Sequence, residues 1–148
     1  MEDGFESNIL NEPEMVYQKY KPSIQDKYNI VLNARNGLST KAFYDIVMLT
    51  AIKKEELAEI FHTTMKTIMR YTQAQKNLDV TASEQALKII ALFKQGNELF
   101  GDIQSFRNWL AKPQYGLGRQ IPFQLLQTSS GIDLISDELS RIEYGATA

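Results

Sequence analysis

The sequence has no cysteine, a single histidine (His62) and only four prolines in 148 residues. Without cysteine there are no disulfides, thiol nucleophiles or thiolate metal sites. With one imidazole, a metal cage would have to be built from carboxylates alone, and these are scattered along the chain. No Ser-His-Asp candidate emerges, because His62 falls in a turn between two helical stretches, and no carboxylate pair has surroundings that suggest a perturbed pKa. Also missing is any apolar run of the roughly 20 residues that a bilayer crossing requires. The N-terminal stretch is acidic where a signal peptide would be basic. These absences lead us to expect a cytoplasmic protein that is not an enzyme, with no cofactor, metal, membrane association or small-molecule substrate.

Strand-like alternation is missing from every segment longer than a few residues, so the expected fold class is all-α. The composition is globular, with 43% hydrophobic and 23% charged residues, enough to bury a core. Charge is unevenly placed. Five acids (Glu2, Asp3, Glu6, Glu12, Glu14) and no base occupy the first 14 residues, leaving 16 basic against 13 acidic residues beyond them. A net charge of -2 therefore does not exclude a nucleic-acid partner.

Residues 1–22 read as a flexible acidic arm. Residues 23–80 read as a helical region containing a helix-turn-helix, and 81–148 as a second helical domain. Ser23 and Asp26 can start a helix with the stripe Ile24, Tyr28, Val31 and Leu32, ending at Asn36-Gly37. Ser39 can start the next, with Phe43, Ile46, Val47 and Thr50 on one side. Leu57, Ala58 and Phe61 mark a third. "TASE" at 81–84 has the form of a capping box, Thr81 with Glu84, opening a long stripe of Ala82, Ala86, Ile89, Ile90, Phe93 and Phe100 that ends at Gly101. Asp102 can cap a short helix with Ile103, Phe106, Trp109 and Leu110. Pro113 and "YGLGRQ" then impose an irregular connection. Pro122 suits the first turn of another short helix. Ser130 and Asp133 can begin a last one, with Ile132, Ile135, Leu139 and Ile142 inward and Gly145 as its stop.

Three features invite a functional interpretation. In "IFHTTMKTIMRY", 60–71, His62-Thr63-Thr64 has the length of a helix-turn-helix turn, with Thr64 as the cap of the second helix. Ile68 and Tyr71 would face inward. Met65, Lys66, Met69, Arg70 and Gln73 would face outward, offering cations, an amide and apolar tips to a major groove, with Lys76 near the backbone at the far end. A solvated helix face explains the same residues equally well. His62 stands where glycine is commonest, since the backbone there often needs a positive φ. "GLG" at 116–118 lacks the preceding strand and following Gly-Lys of a phosphate loop and reads as a turn, and Phe106 with Trp109 reads as core.

The stretch from Trp109 to Gly145 closely resembles the C-terminal domain of the MbcA/ParS/Xre family of type II antitoxins. The matches are Trp109-Leu110, Pro113, Leu117-Gly118, Pro122, Leu125-Leu126, Thr128, Gly131, Leu139, Arg141-Ile142 and Gly145. Upstream, "LAEIFHTTMKTIMRY" is similar to the family's helix-turn-helix, with Thr67, Ile68 and Arg70 in place and a departure at His62-Thr63. The resemblance implies a homodimeric antitoxin of a toxin-antitoxin system that neutralises a NAD-consuming RES-domain toxin and represses its own operon by binding operator DNA through Thr64, Met65, Lys66, Thr67, Met69, Arg70, Gln73 and Lys76. Ser140, Arg141, Glu143, Tyr144 and Gly145 become the expected toxin-binding residues. A helix-turn-helix regulator with no toxin partner is the alternative, and a pure interaction protein the third.

Overall fold

The computed structural model describes residues 12–147, and among them every regular element is helical. Eight α-helices follow one another: α1 (Glu12–Ile24), α2 (Lys27–Asn36), α3 (Lys41–Thr50), α4 (Lys54–Ile60), α5 (Met65–Gln73), α6 (Val80–Phe100), α7 (Ile103–Leu110) and α8 (Ser129–Thr147). Two short 3-10 turns, Tyr115–Leu117 and Pro122–Gln127, fill the connection before α8. The all-α expectation holds.

The expected arm over 1–22 is helical from Glu12 onward, and residues 1–11 lie outside the described residues. Val16, Tyr17 and Tyr20, at i, i+1 and i+4, are buried against α6 and α3. The two prolines obscured this spacing, but neither forbids the helix. Pro13 lies in the first turn, where no backbone donor is needed, and Pro22 lies in the last. The Tyr20 hydroxyl donates to Asp45 at 2.5 Å, and Lys19 reaches the same carboxylate at 2.8 Å. Burial and this acceptor push the Tyr20 phenol far above its ordinary range, so it remains a neutral donor.

The start signals of α2 and α6 shift. Asp26 alone caps α2, accepting from the Asn29 backbone N–H at 2.8 Å, because Ser23 is still within α1. Asp79 caps α6 by accepting from the Ala82 N–H at 2.8 Å, which replaces the expected Thr81–Glu84 capping box. Glu84 instead sits 3.7 Å from Lys88, one turn on. The face of α2 also differs. Ile30 and Ala34 are buried, whereas Tyr28, Val31 and Leu32 of the expected inner stripe are exposed.

α6 is the axis of the fold. Ala86, Leu87, Ile89, Ile90, Leu92 and Phe93 are buried around nearly its whole circumference, and α1, α2, α3, α7 and α8 all pack on it. Its all-round apolar character follows from being surrounded. Because α6 begins at Val80, helices on both sides of the expected 80/81 boundary share this one core.

Two neighbouring tyrosines on α1 make a contrast. The buried Tyr17 hydroxyl has no hydrogen-bond partner among the described residues, whereas Tyr20 serves Asp45. Tyr17→Phe is expected to be neutral or slightly stabilising, and Tyr20→Phe to cost about 1.5–3 kcal/mol, the range for a bond to a charged acceptor. Urea unfolding of the two variants beside wild type checks the order.

Candidate functional site

The turn between α4 and α5 is built by backbone bonds that run from Thr63 N–H to the Ala58 carbonyl and from His62 N–H to the Glu59 carbonyl, each 2.9 Å. This crossed pair is a Schellman closure, which requires a left-handed residue just past the helix. His62 supplies it, with φ 59°. The histidine also does what a glycine could not: its Nε2 lies 2.7 Å from the Gln127 carbonyl, so the ring must carry its proton there to donate. Thr64 then caps α5, accepting from the Thr67 N–H at 3.2 Å, as its sequence position suggests.

On α5, Ile68 is buried, and Lys66, Met69, Arg70 and Gln73 are exposed along one side, as expected for an outward face. Met65 departs from that expectation, being half-buried against the core because the first turn of α5 lies close over it. Thr67 and Tyr71 are half-buried. The Lys76 ammonium lies 4.5 Å from the centre of the Tyr71 ring, which holds it at the far end of the helix. Gln75 ends α5 in the left-handed region with φ 52°, and Leu78 N–H bonds back to the Leu38 carbonyl at 2.8 Å, joining this end of α5 to the loop after α2.

Gln85, buried on α6, donates its two amide hydrogens to the carbonyls of Ile60 and Leu126, both at 2.8 Å. The end of α4 and the 3-10 turn before α8 are thereby joined through one side chain. No sequence signal marked Gln85 out, since a lone glutamine in an apolar stripe has no spacing rule of its own.

α8 begins one residue earlier than expected. Thr128 is its cap, with its Oγ1 accepting from Gly131 N–H at 2.9 Å, and the helix runs on to Thr147. Gly131 has no room for a side chain, because a Cβ there would strike the Leu125 carbonyl. Ile132, Ile135 and Leu139 are buried and Ile142 is half-buried, as the stripe predicts. Gly145 is not the helix stop. A glycine ends a helix only where the backbone turns left-handed, and here it stays helical. Ser140 is also displaced from its expected accessible side. Its Oγ accepts from Gln95 Nε2 at 3.2 Å, and the Ser136 hydroxyl donates to Gln95 Oε1 at 2.8 Å. Lys88 adds an ion pair to Asp133 at 2.9 Å. Arg141, Glu143, Tyr144 and Gly145 are exposed on the last turns.

Sequence reasoning missed Glu138. It is buried on α8, pairs with Arg141 at 2.9 Å, and rests against Gly116, where any Cβ would collide with its carboxylate. The "GLG" segment is thus the seat of Glu138. Beside it, the exposed Tyr115 ring carries the Arg119 guanidinium at 5.2 Å. Tyr115 and Arg119 join Arg141 on that end of the molecule.

Among the described residues, no group of three or more metal-ligating side chains converges, and no helix is long and apolar enough to cross a membrane. The cavity of about 430 Å³ between α2, α6 and α8 is mostly apolar, with Ile24, Ile30, Leu92 and Ile132 in its wall and the Lys88–Asp133 pair at its edge.

The scaffold thus clamps its last helix as far as Ser140 and leaves the final turns exposed. Comparison with known proteins supplies a resemblance. Residues 95–145 match the family described as the antitoxin Xre/MbcA/ParS C-terminal toxin-binding domain. The chain is also similar to "Antitoxin Xre" of Yersinia enterocolitica, at 24% identity over 117 residues, 78% of this chain and 79% of that protein. The C-terminal third of the chain is thus similar to the toxin-binding domain of the Xre/MbcA/ParS antitoxins. The match begins at Gln95, so it includes the last two turns of α6, the clamp on Ser136 and Ser140, and α8 up to Gly145.

Gln85→Ala leaves two buried carbonyls without donors and is expected to cost about 2–4 kcal/mol. Gln85→Glu sets a carboxyl against both oxygens, which raises its pKa. Its deficit therefore grows as pH rises above the ordinary carboxylate range and shrinks below it. Thermal melts of both variants across mildly acidic to neutral pH test the size and the sign.

Proposed function

We propose that this protein is an antitoxin, that it neutralises a NAD-consuming RES-domain toxin by seating the end of α8 in the toxin's active site, and that as a homodimer it represses its own operon through α5. The observation that carries the first part is the contrast along α8. Ile132, Ile135, Leu139 and Ser140 are held against the core, whereas Arg141, Glu143, Tyr144 and Gly145 stand exposed on the last turns. A helix already ordered and anchored loses little conformational freedom when its end enters a cleft. The block is steric. Arg141 is prepared for this by Glu138, whose buried carboxylate fixes the guanidinium while leaving much of it accessible.

Support for the DNA part comes from α5. Lys66, Arg70 and Gln73 form an exposed polar face, Met69 adds an apolar tip, Thr64 and Thr67 sit at the helix start, and Lys76 is held at its end. Arg70 has the reach to read guanine and Gln73 to read adenine, while Lys66 and Lys76 suit phosphates. Met65, half-buried, contributes packing beneath this face rather than contact.

Deletion of Glu143 to Ala148 is expected to abolish neutralisation while leaving the melting temperature near that of wild type. Co-expression with the toxin, scoring growth and cellular NAD, measures the first, and full neutralisation by the truncated chain overturns the model. For DNA, Arg70→Ala should lose about 1–3 kcal/mol of discrimination at one base pair, and Lys66→Ala should weaken binding evenly across sequences and reduce the salt slope by about 1. Gel shifts on the protein's own promoter at several salt concentrations separate the two effects. Equal binding by wild type and the double variant refutes the assignment.

A further inference from the structure

α2 turns an unusual face to solvent. Tyr28, Val31 and Leu32 are 70%, 49% and 37% exposed, and Arg35 follows at i+7 on the same side. Isolated surface apolar residues are ordinary, but three on one face of a single helix form a continuous stripe. The opposite side of α2 already supplies Ile30 and Ala34 to the core, so the helix is apolar on two sides where one suffices for folding.

We propose that this face of α2 is the two-fold interface of a homodimer, with the α2 helices of two copies packed antiparallel. The stripe is complementary to itself in that arrangement. With the axis passing between Val31 and Leu32, Val31 of each copy meets Leu32 of the other, and Tyr28 of each meets Arg35 of the other. A closed two-fold contact of this kind repeats every favourable pair twice. The Tyr28 ring offers its face to the opposing Arg35 guanidinium, a cation–π contact that needs no desolvated carboxylate. Antiparallel alignment also sets the positive N-terminal end of each helix, capped by Asp26, beside the negative C-terminal end of the other. A parallel arrangement would bring Arg35 against Arg35 and Asp26 against Asp26.

The surface is also in the right place mechanically. The loop leaving α2 is bonded to the segment leaving α5, through Leu78 N–H to the Leu38 carbonyl at 2.8 Å and Asn77 to the Gly37 carbonyl at 3.4 Å. A dimer axis at α2 therefore fixes the separation of the two α5 helices through a short hydrogen-bonded connection. This proposal rests on the homodimeric reading of the operator-binding function, but its test does not require DNA or toxin.

Sedimentation of the full-length chain should give the mass of two copies. Val31→Glu, which buries a carboxylate against Leu32 of the other copy on each side of the axis, should give the mass of one copy while keeping the helical content and a cooperative melt. Tyr28→Ser, at a more exposed position, should weaken the dimer in the same direction and covers the case in which Val31→Glu fails to fold. Because the chain has no cysteine, Leu32→Cys should cross-link to dimer with a short bismaleimide, whereas Met48→Cys, exposed on α3, should not. The Val31→Glu chain should still neutralise the toxin and should bind a two-half-site operator about tenfold or more weakly, having lost the linkage between half-sites. A wild-type chain that sediments as one copy overturns the proposal. So does a dimer that persists in both variants, or cross-linking through Met48→Cys in preference to Leu32→Cys. A wild-type dimer disrupted by Val31→Glu but without operator binding upholds the interface and rejects the DNA function alone.

Discussion

Much of the molecule is organised by one primary amide. Gln85 lies in the middle of the core on a helix otherwise lined with aliphatic and aromatic side chains, and its nitrogen satisfies two carbonyls that have no other source of donors nearby. One is Ile60, among the last carbonyls of α4, which the helix cannot satisfy itself. The other is Leu126, buried in the 3-10 turn that precedes α8. A buried amide with both hydrogens engaged fixes the distance between its two acceptors more strictly than packing alone. Next to it, His62 bonds Gln127 from the surface, so consecutive carbonyls of the connecting turn are held from inside and outside. The turn that aims α5 and the segment that starts α8 belong to one body for this reason.

α8 is divided along its length by what faces it. Its first half meets α6, where Lys88 and Gln95 supply polar contacts flanking the apolar stripe. Its last turns extend past these partners, and there the exposed side chains gather. Glu138 marks the transition. Burial of a carboxylate is costly unless it is paired, and Arg141 provides the pair while Gly116 provides the space. The irregular loop before α8 is thus shaped around a charge on the helix that follows it.

The candidate site was partly legible in the residues. Thr64 as a cap, Ile68 as the inward residue, and Lys66, Met69, Arg70 and Gln73 outward all follow from local spacing, and the structure agrees because α5 has a single apolar stripe. The same spacing rule turns Met65 outward, whereas it lies half-buried against the core. Ser140 has a serine's ordinary ambiguity, polar enough for the surface and small enough for a clamp, and only the presence of Gln95 opposite decides between them. The left-handed conformation of His62 was expected from its place in the turn. Its bond to Gln127 spans 65 residues and carries no local trace.

Secondary structure class, most of the helices and the inward stripes of α3, α6 and α8 were determined by the sequence itself, because apolar spacing, caps and breakers act over a few residues whatever the rest of the chain does. The tertiary structure decided the remainder. It selected Asp79 over Thr81 as a cap, drew Val16, Tyr17 and Tyr20 into the core from a stretch that looked like an arm, and left Tyr28, Val31 and Leu32 outside while burying Ile30 and Ala34. In each case more than one local solution was available at similar cost, and what separated them was the partner brought alongside by distant parts of the chain.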